Sequence, residues 1–437
     1  MTPPATAPSI VPLAVPVGPA VLRLLPVLAR ALDGTGPAVA PHAEGVDPPD
    51  LRAGTGQTGL PTGTAPTGLP TGTAPTGLPT GTGQTGLSTG TGLSDLPPGL
   101  ALVVGTSGST GRPKRALLTA PALRASAAAT HERLGGPGQW LLAMPAHHVA
   151  GLQVLIRSLL AGTTPLVVDA RDGFTTEAFV AATARLDPGC ARHYTALVPT
   201  QLSRLLADER GREALRRYDG VLVGGAATPG ALLQQAASAG VRVLTTYGMS
   251  ETAGGCFYGG VALTGARVRF APDGRVSLGG PMVCHGYLGE PALSAAALST
   301  DADGTRWFRT DDLGRLDGEG LLRIEGRIDD VINTGGLKVS PHLVEDALLE
   351  HVPGVLEAVV VGTAHPEWGE AVSAAVVLAP GSDGLTVAAV RDRLRGILPD
   401  HALPQRLARM DAIPLRGPGK PDRVRVRAAA GWQDWGR

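Results

Sequence analysis

Ala101-Leu102-Val103-Val104-Gly105-Thr106-Ser107-Gly108-Ser109-Thr110-Gly111-Arg112-Pro113-Lys114 is the stretch whose reading sets the fold class. Residues 101–104 are apolar throughout and read as a buried strand. From Thr106 to Gly111 every residue is small, so backbone N–H groups and hydroxyls can close around phosphate oxygens. Lys114 then supplies a cation. The run is not a Walker A loop, because no Ser or Thr follows Lys114 and the glycine spacing differs. Taken alone, it also reads as an ordinary Gly/Ser turn after a strand.

Downstream of this loop, strands and helices alternate. Residues 151–162 carry apolar side chains at 152, 155, 156, 159 and 160, a helical spacing. Runs 165–168, 220–223 and 241–248 read as strands, and 200–208 and 229–239 as helices. That alternation predicts a largely parallel α/β sheet. Beyond about residue 255 the chain turns Gly-rich with short strands, as in a β subdomain. From Arg327 a smaller α+β unit is expected, with helices near 341–350 and 386–397 and strands near 355–362 and 371–378.

Upstream, residues 54–93 form a low-complexity Thr/Gly/Pro repeat. The unit TGLPTGTAP begins at Thr58 and Thr67, with degraded copies from Thr76 and Thr85. Each unit carries a single large apolar residue (Leu60, Leu69, Leu78, Leu87), too little to bury a core. The segment is therefore expected to be disordered, a linker or surface insertion between a short N-terminal segment (1–53) and the main body. The stretch from Ile10 to Leu32 is apolar, but Pro12, Pro16, Pro19 and Pro26 break it and Arg23 and Arg30 interrupt it. It fits neither a signal peptide nor a membrane span.

The charges balance, 38 basic against 38 acidic, so nothing points to nucleic acid or to a strongly charged partner. Cys190, Cys256 and Cys284 are widely spaced, which argues against a disulfide framework or zinc site and fits a reducing cytoplasm. Only Lys114, Lys338 and Lys420 are lysines; every other basic residue is arginine. Such a bias makes each lysine a candidate for a place that needs a compact ammonium rather than a planar fork.

Five further motifs follow in order: Tyr247-Gly248-Met249-Ser250-Glu251-Thr252, Arg309-Thr310-Asp311-Asp312-Leu313, Gly326-Arg327-Ile328-Asp329-Asp330, Gly335-Gly336-Leu337-Lys338-Val339-Ser340-Pro341 with Val344-Glu345 after it, and Gly419-Lys420-Pro421-Asp422-Arg423. With the loop at 106–114, this series resembles the acyl-adenylate-forming (AMP-binding) superfamily of acyl-CoA synthetases, luciferases and peptide-synthetase adenylation domains. All three lysines fall inside it. The resemblance implies a large α/β AMP-binding domain with a β subdomain at 94–326 and a small mobile α+β domain at 327–437, an acyl-CoA-synthetase-like fold. It implies that Thr106, Ser107, Gly108, Ser109, Thr110, Gly111 and Lys114 hold the ATP phosphates. Gly224, Gly225, Ala226, Tyr247, Gly248 and Met249 would line the nucleotide site, with Tyr247 on adenine. Asp312 would bind ribose with Arg327 nearby, Glu251 would hold Mg²⁺, and Thr252 would meet the α-phosphate. Asp329 would be the hinge, Gly335, Gly336 and Lys338 would help form the CoA channel, and Lys420 would be the catalytic lysine. Asp311 stands where the family usually has Gly.

The runs 144–151, 196–202, 222–227 and 246–256 are similar to those of the o-succinylbenzoate–CoA ligase family of menaquinone synthesis, in its short actinobacterial form. That resemblance implies ATP, Mg²⁺ and CoA as cofactor and substrates and a small carboxylic acid as partner, with no nucleic acid, no membrane span and room for a homodimer. The acid carries a second carboxylate, which needs a counter-charge. His148, His193, Thr200, Arg204 and Gly254 are the candidate pocket residues. Arg204 reads equally as a solvated helix charge, and His193 as a strand-end hydrogen-bonding residue. Another aryl- or acyl-CoA ligase, or an adenylation enzyme loading a carrier protein, is the alternative within the superfamily. An interaction or surface protein built on the repeat is the alternative from another class.

Overall fold

A computed structural model describes residues 9–49, 51, 96–106, 114–382, 384–415, 420–428 and 431–435. The repeat at 54–93 and residues Ser107 to Gly111 of the small-residue loop lie outside the described residues.

Three sheets build the larger part of the chain. In the first, the order is Ile10–Val15, Ala38–Ala43, Leu100–Gly105 and Arg115–Thr119. The first three strands run parallel and the fourth antiparallel. The N-terminal apolar stretch is thus a strand, a 3-10 turn and a helix, Leu25–Asp33, whose Pro26 occupies the first turn where no intrahelical donor is needed. Val21, Leu28 and Val39 pack into the same core as Leu102, Trp140 and Leu155, so this segment is integral to the body.

The second sheet has seven strands, ordered Val261–Ala262, Gly254–Tyr258, Val243–Met249, Gly220–Val223, His193–Leu197, Gln139–Leu142 and Leu166–Val167. The last five run parallel, as the strand–helix alternation predicts. Helix Val149–Ala161 follows the strand at 139 and ends at Gly162, whose φ of 66° a glycine adopts without strain. It is buried nearly all round, Gly151 through Ser158 included. Helix Ala120–Arg133 starts where Thr119 Oγ1 accepts from the Ala122 N–H at 3.3 Å. A third, antiparallel sheet holds Arg267–Phe270, Arg275–Gly279, Arg306–Leu316, Leu298–Thr300 and Leu322–Arg327. This is the β subdomain.

Beyond it, a six-stranded sheet and helices Pro341–His351 and Val387–Leu394 enclose a separate core of Ile332, Val344, Leu348, Val360, Val376 and Leu394. Strands Ile332–Thr334 and Leu337–Val339 are joined by Gly335 and Gly336 alone. Their φ values, 58° and 81°, are what a two-residue hairpin loop with both residues left-handed demands.

The small unit also buries a charge cluster. His342 Nδ1 lies 3.0 Å from Glu345 Oε2, and Arg423 Nη1 lies 2.7 Å from Glu345 Oε1. Burial alone would raise the Glu345 carboxyl, but the bond from His342 and the Arg423 charge outweigh it and hold it at about 2. Burial would lower His342; its bond to Glu345 wins and leaves it raised, with Arg423 opposing and Asp346 helping. A raised histidine adds stability that is complete below its ordinary value of 6.5 and fades as pH climbs through the folded value. His342→Gln should therefore lower the denaturation midpoint most in mildly acidic buffer, with the difference from the parent shrinking under alkaline conditions. A pH-independent difference would mean that packing, not charge, sets this residue's contribution.

Candidate active site

Five parallel strands end at one edge, and residues at such carboxyl ends are the ones positioned to meet a ligand. His148, Thr200, Gly224 to Ala226 and Met249 to Thr252 all leave the sheet at this edge. Gly224 has to be glycine because a Cβ there would lie 2.1 Å from Thr246 Oγ1.

The turn from Ser250 to Gly254 is the most constrained part of this edge. It connects antiparallel strands that pair Met249 with Gly254 and Gly248 with Gly255. A Cβ on Gly248 would sit 2.1 Å from the Gly254 carbonyl oxygen. Ala253 has φ 51°, the one non-glycine residue with positive φ among the described residues. Its carbonyl accepts from Gln153 Nε2 at 2.7 Å and from Ser126 Oγ at 3.0 Å. Thr252 is fully buried, donating to the Gly254 carbonyl at 2.7 Å and accepting from the Met249 N–H at 3.0 Å. Its hydroxyl thereby closes the turn.

Glu251 points into a protein-lined niche and is 7% exposed. Tyr287 donates to its Oε1 at 2.9 Å, and Lys114 Nζ lies 5.6 Å from the Tyr287 ring centroid. Burial pushes the carboxyl up, while the Tyr287 bond and the Lys114 and Lys420 charges pull it down. The segment carrying Tyr287 is bonded to the strand leaving the small-residue loop, Ala116 pairing with Tyr287. That loop's ends meet where the Thr106 N–H donates to the Lys114 carbonyl at 2.8 Å.

A second chain of contacts crosses toward the small unit. Tyr247 donates to Asp312 Oδ2 at 2.6 Å, and Arg327 Nη1 reaches Asp312 Oδ1 at 3.3 Å. The same guanidinium grips Asp329 at 2.8 and 3.0 Å. Asp312 and Arg327 face each other across paired strands. Burial raises Asp312, opposed by Tyr247 and Arg327. Asp311 lies within a long strand and pairs with Arg275 at 3.3 Å, so the missing glycine disturbs nothing.

Lys420 keeps solvent access, yet the protein crowded around it lowers its ammonium pKa, Arg327 adding to the effect and Glu251 and Asp312 opposing it. The ammonium therefore sits within electrostatic reach of both acids and of His148, whose pKa falls to about 4 through burial, His147 and Lys420. Residues more than 300 positions apart in the chain thus meet: Lys114, Tyr247, Glu251, Asp312, Arg327 and Lys420.

Two sequence-predicted pocket residues lie elsewhere. His193 opens its strand at the amino end, opposite the site, with Nε2 2.9 Å from the Asp187 carbonyl oxygen. Arg204 is exposed on the far part of helix Pro199–Ala207, reaching the Phe174 carbonyl at 3.5 Å and acting on Glu357 of the small unit. Gly335, Gly336 and Lys338 form the exposed hairpin of the small unit. Tyr287, Ser126, Gln153 and Arg157 escaped the sequence reading. Gln153 and Arg157 did leave a signal, two large polar residues one turn apart on a helix that is otherwise apolar but for Ser158.

Comparison with known proteins then assigns relatives. The family described as AMP-binding enzyme matches residues 92–287, and its C-terminal domain matches residues 343–420. A probable 2-succinylbenzoate–CoA ligase of Mycobacterium tuberculosis is 45% identical over 77% of this chain and 86% of its own length. A feruloyl-CoA synthase of an Amycolatopsis species is 33% identical over 76% of this chain and 70% of its own length. Among solved structures, o-succinylbenzoate CoA synthetase from Bacillus subtilis in complex with its acyl-adenylate intermediate superposes with a TM-score of 0.65 at 26% identity, covering 76% of this chain and 70% of that one.

The turn geometry makes a direct forecast. Gly248→Ala places a methyl against three backbone atoms that cannot yield without breaking the 249–254 pairing. It should cost about 2–4 kcal/mol by chemical denaturation, in the upper range for point changes, and abolish nucleotide binding by calorimetry. Parent-like stability and binding would show that the turn is not the constraint described here.

Proposed function

The chain belongs to the AMP-binding enzymes and is an acyl-adenylate-forming acid–CoA ligase, and from that premise we propose that its acid is o-succinylbenzoate. The carboxylate oxygen attacks the α-phosphorus of ATP, and the bond to pyrophosphate breaks. The CoA thiol, losing its proton, then attacks the acyl carbonyl of the mixed anhydride and AMP leaves. No protein nucleophile is required.

The first step brings two anions together, so its difficulty is charge. In this reading Lys114 and the loop at 106–111 hold the phosphates, Asp312 takes the ribose, and Lys420 meets the reacting carboxylate and α-phosphate. The buried Glu251 carboxylate, held by the Tyr287 hydroxyl, would hold Mg²⁺ together with phosphate oxygens. Mg²⁺ bound that way would supply further neutralisation as pyrophosphate departs. The small unit turns about Asp329 between steps, carrying Lys420 out and the Gly335–Gly336 hairpin toward the CoA path.

The choice of acid is supported by the 45% identity over 86% of a probable 2-succinylbenzoate–CoA ligase. It is also supported by Arg157, the most deeply buried charged side chain among the described residues, at 3% exposed. Among the described residues its guanidinium donates to the Tyr258 hydroxyl at 3.2 Å and lies 5.0 Å from the Trp140 ring, near enough to His131 to lower its pKa, with no carboxylate in ion-pair range and Nε unpartnered. A buried cation so poorly compensated is costly unless an anion joins it. Arg157 lies one helical turn beyond Gln153, which holds the strained turn, and so behind the reacting end of the site. We assign it to the second carboxylate, in place of His193 and Arg204. The feruloyl-CoA synthase relative keeps aryl monoacids as the second reading.

ATP–pyrophosphate exchange across o-succinylbenzoate, ferulate, benzoates and fatty acids should be fastest with o-succinylbenzoate; preference for a monoacid would sink the assignment. Arg157→Met should raise KM for o-succinylbenzoate by the equivalent of about 1.5–3 kcal/mol and leave KM for ATP nearly unchanged. Lys420→Ala should lose ~10²–10³ in adenylation yet still convert supplied acyl-adenylate and CoA to thioester. Lys420→Arg should not restore the first step, since a planar fork does not replace a point charge.

A further inference from the structure

Lys420 lies on a terminal segment with little regular structure. Leu415 bridges to Pro421, and the helix that follows, Arg423–Arg427, is barely more than one turn. The firm attachment is three residues on. Arg423 is 15% exposed in its side chain and is held from three sides. Nη1 donates to Glu345 Oε1 at 2.7 Å and to the Val360 carbonyl at 2.6 Å, Nη2 to Glu345 Oε2 at 3.3 Å, and Nε lies 3.2 Å from Asp330 Oδ2. Glu345 in turn accepts from the Val360 N–H at 2.7 Å and faces His342 Nδ1 at 3.0 Å. Asp330 directly follows Asp329, which Arg327 ties to Asp312 at the nucleotide end of the cleft. One buried guanidinium thus joins the hinge, the first helix of the small unit and the Lys420 segment.

We propose that Arg423 is a positioning residue for Lys420: by gripping Glu345 and Asp330 together it sets the register of the terminal segment against the hinge, and so sets where the ammonium reaches the cleft. The inference rests on the adenylation role given to Lys420 above. Three residues span at most ~10 Å, so a shift of the anchor passes to the ammonium with little slack. Only a fork can hold both acids at once; an ammonium reaches one.

The test compares half-reactions in Arg423→Lys, Arg423→Gln, the double variant Arg423→Gln/Glu345→Gln and Lys420→Ala. The double variant leaves no orphaned charge at Glu345, so it guards against simple unfolding of the small unit. Acyl-adenylate formation should fall by ~10²-fold in kcat in the Arg423→Gln and double variants, the scale expected for a misplacement near 1 Å, with KM for ATP and acid nearly unchanged. Arg423→Lys should fall between these and the parent. Thioester formation from supplied acyl-adenylate and CoA should stay near parent rate in all of them. Parent-like adenylation in the folded double variant, with Lys420→Ala inactive, would overturn the brace alone. Equal loss of both half-reactions would overturn it in favour of a purely structural role. Normal adenylation by Lys420→Ala would remove the reading beneath it.

Discussion

Ala253 holds a left-handed backbone that costs an L-residue about 1–2 kcal/mol, and the site around it depends on that cost being met. Ser126 and Gln153, from two different buried helices, both donate to its carbonyl. The strand pairing on either side leaves no room for a side chain at Gly248. Strain of this kind persists only where the surroundings over-determine it. Here the result is a sharp reversal that turns Glu251 inward and delivers its carbonyl to the Cys284 N–H at 2.7 Å. The Cys284 segment in turn carries Tyr287 onto the Glu251 carboxylate. Remove the reversal and neither the acid nor the tyrosine has a reason to be where it is.

The charges follow one logic across both units. Glu251 and Asp312 are each 7% exposed, and burial pushes both carboxyls up. Each is pulled back by a tyrosine hydroxyl and by cations at greater distance. Neither is locked in a bidentate ion pair, unlike Glu345, which is fully committed to Arg423 and His342. Acids held by one hydroxyl and at most one single-point cation contact can still give their charge to a ligand; an acid gripped by a guanidinium fork and a histidine at once cannot. The difference separates carboxylates placed for substrate from one placed for structure.

Much of this was legible in the residues, and the failures have physical causes. The 101–104 strand, the parallel sheet and the small α+β unit follow from local pattern, because periodicity and composition are local. Tyr247, Asp312 and Arg327 could be brought together only by resemblance, since Tyr247 and Asp312 stand 65 residues apart on strands of different sheets, and such a contact leaves no local trace. Helix Ala120–Arg133 was missed because its alanines carry no apolar stripe. The N-terminal strands were missed because prolines break their alternation and their partners lie far along the chain. His193 is a different failure. It stands first in its strand, at the amino end, so the rule that ligands gather at carboxyl ends already argued against it. Arg157 was passed over for the opposite reason: on an amphipathic helix an arginine marks the solvent face, and only a helix buried nearly all round turns the signal it left into an internal charge.

The strained turn, Glu251, Tyr287 and Arg157 all belong to the larger core or rest on it. Arg327 and Asp329 sit at its margin, and Leu322 and Ile332 mark the facing limits of two cores that share no residue. Polar contacts cross the gap: Ser340 to the Glu325 carbonyl, the Arg204 charge on Glu357, and the electrostatic reach of Lys420. Polar contacts exchange for water at little net cost, whereas separating packed apolar surface costs about 25 cal/mol per Å². Such polar contacts beside a hinge can therefore break and re-form, while each unit keeps its own core intact. The device that must not loosen during such a motion is the one carrying the ammonium, and that is where the chain has placed its most fully paired buried guanidinium.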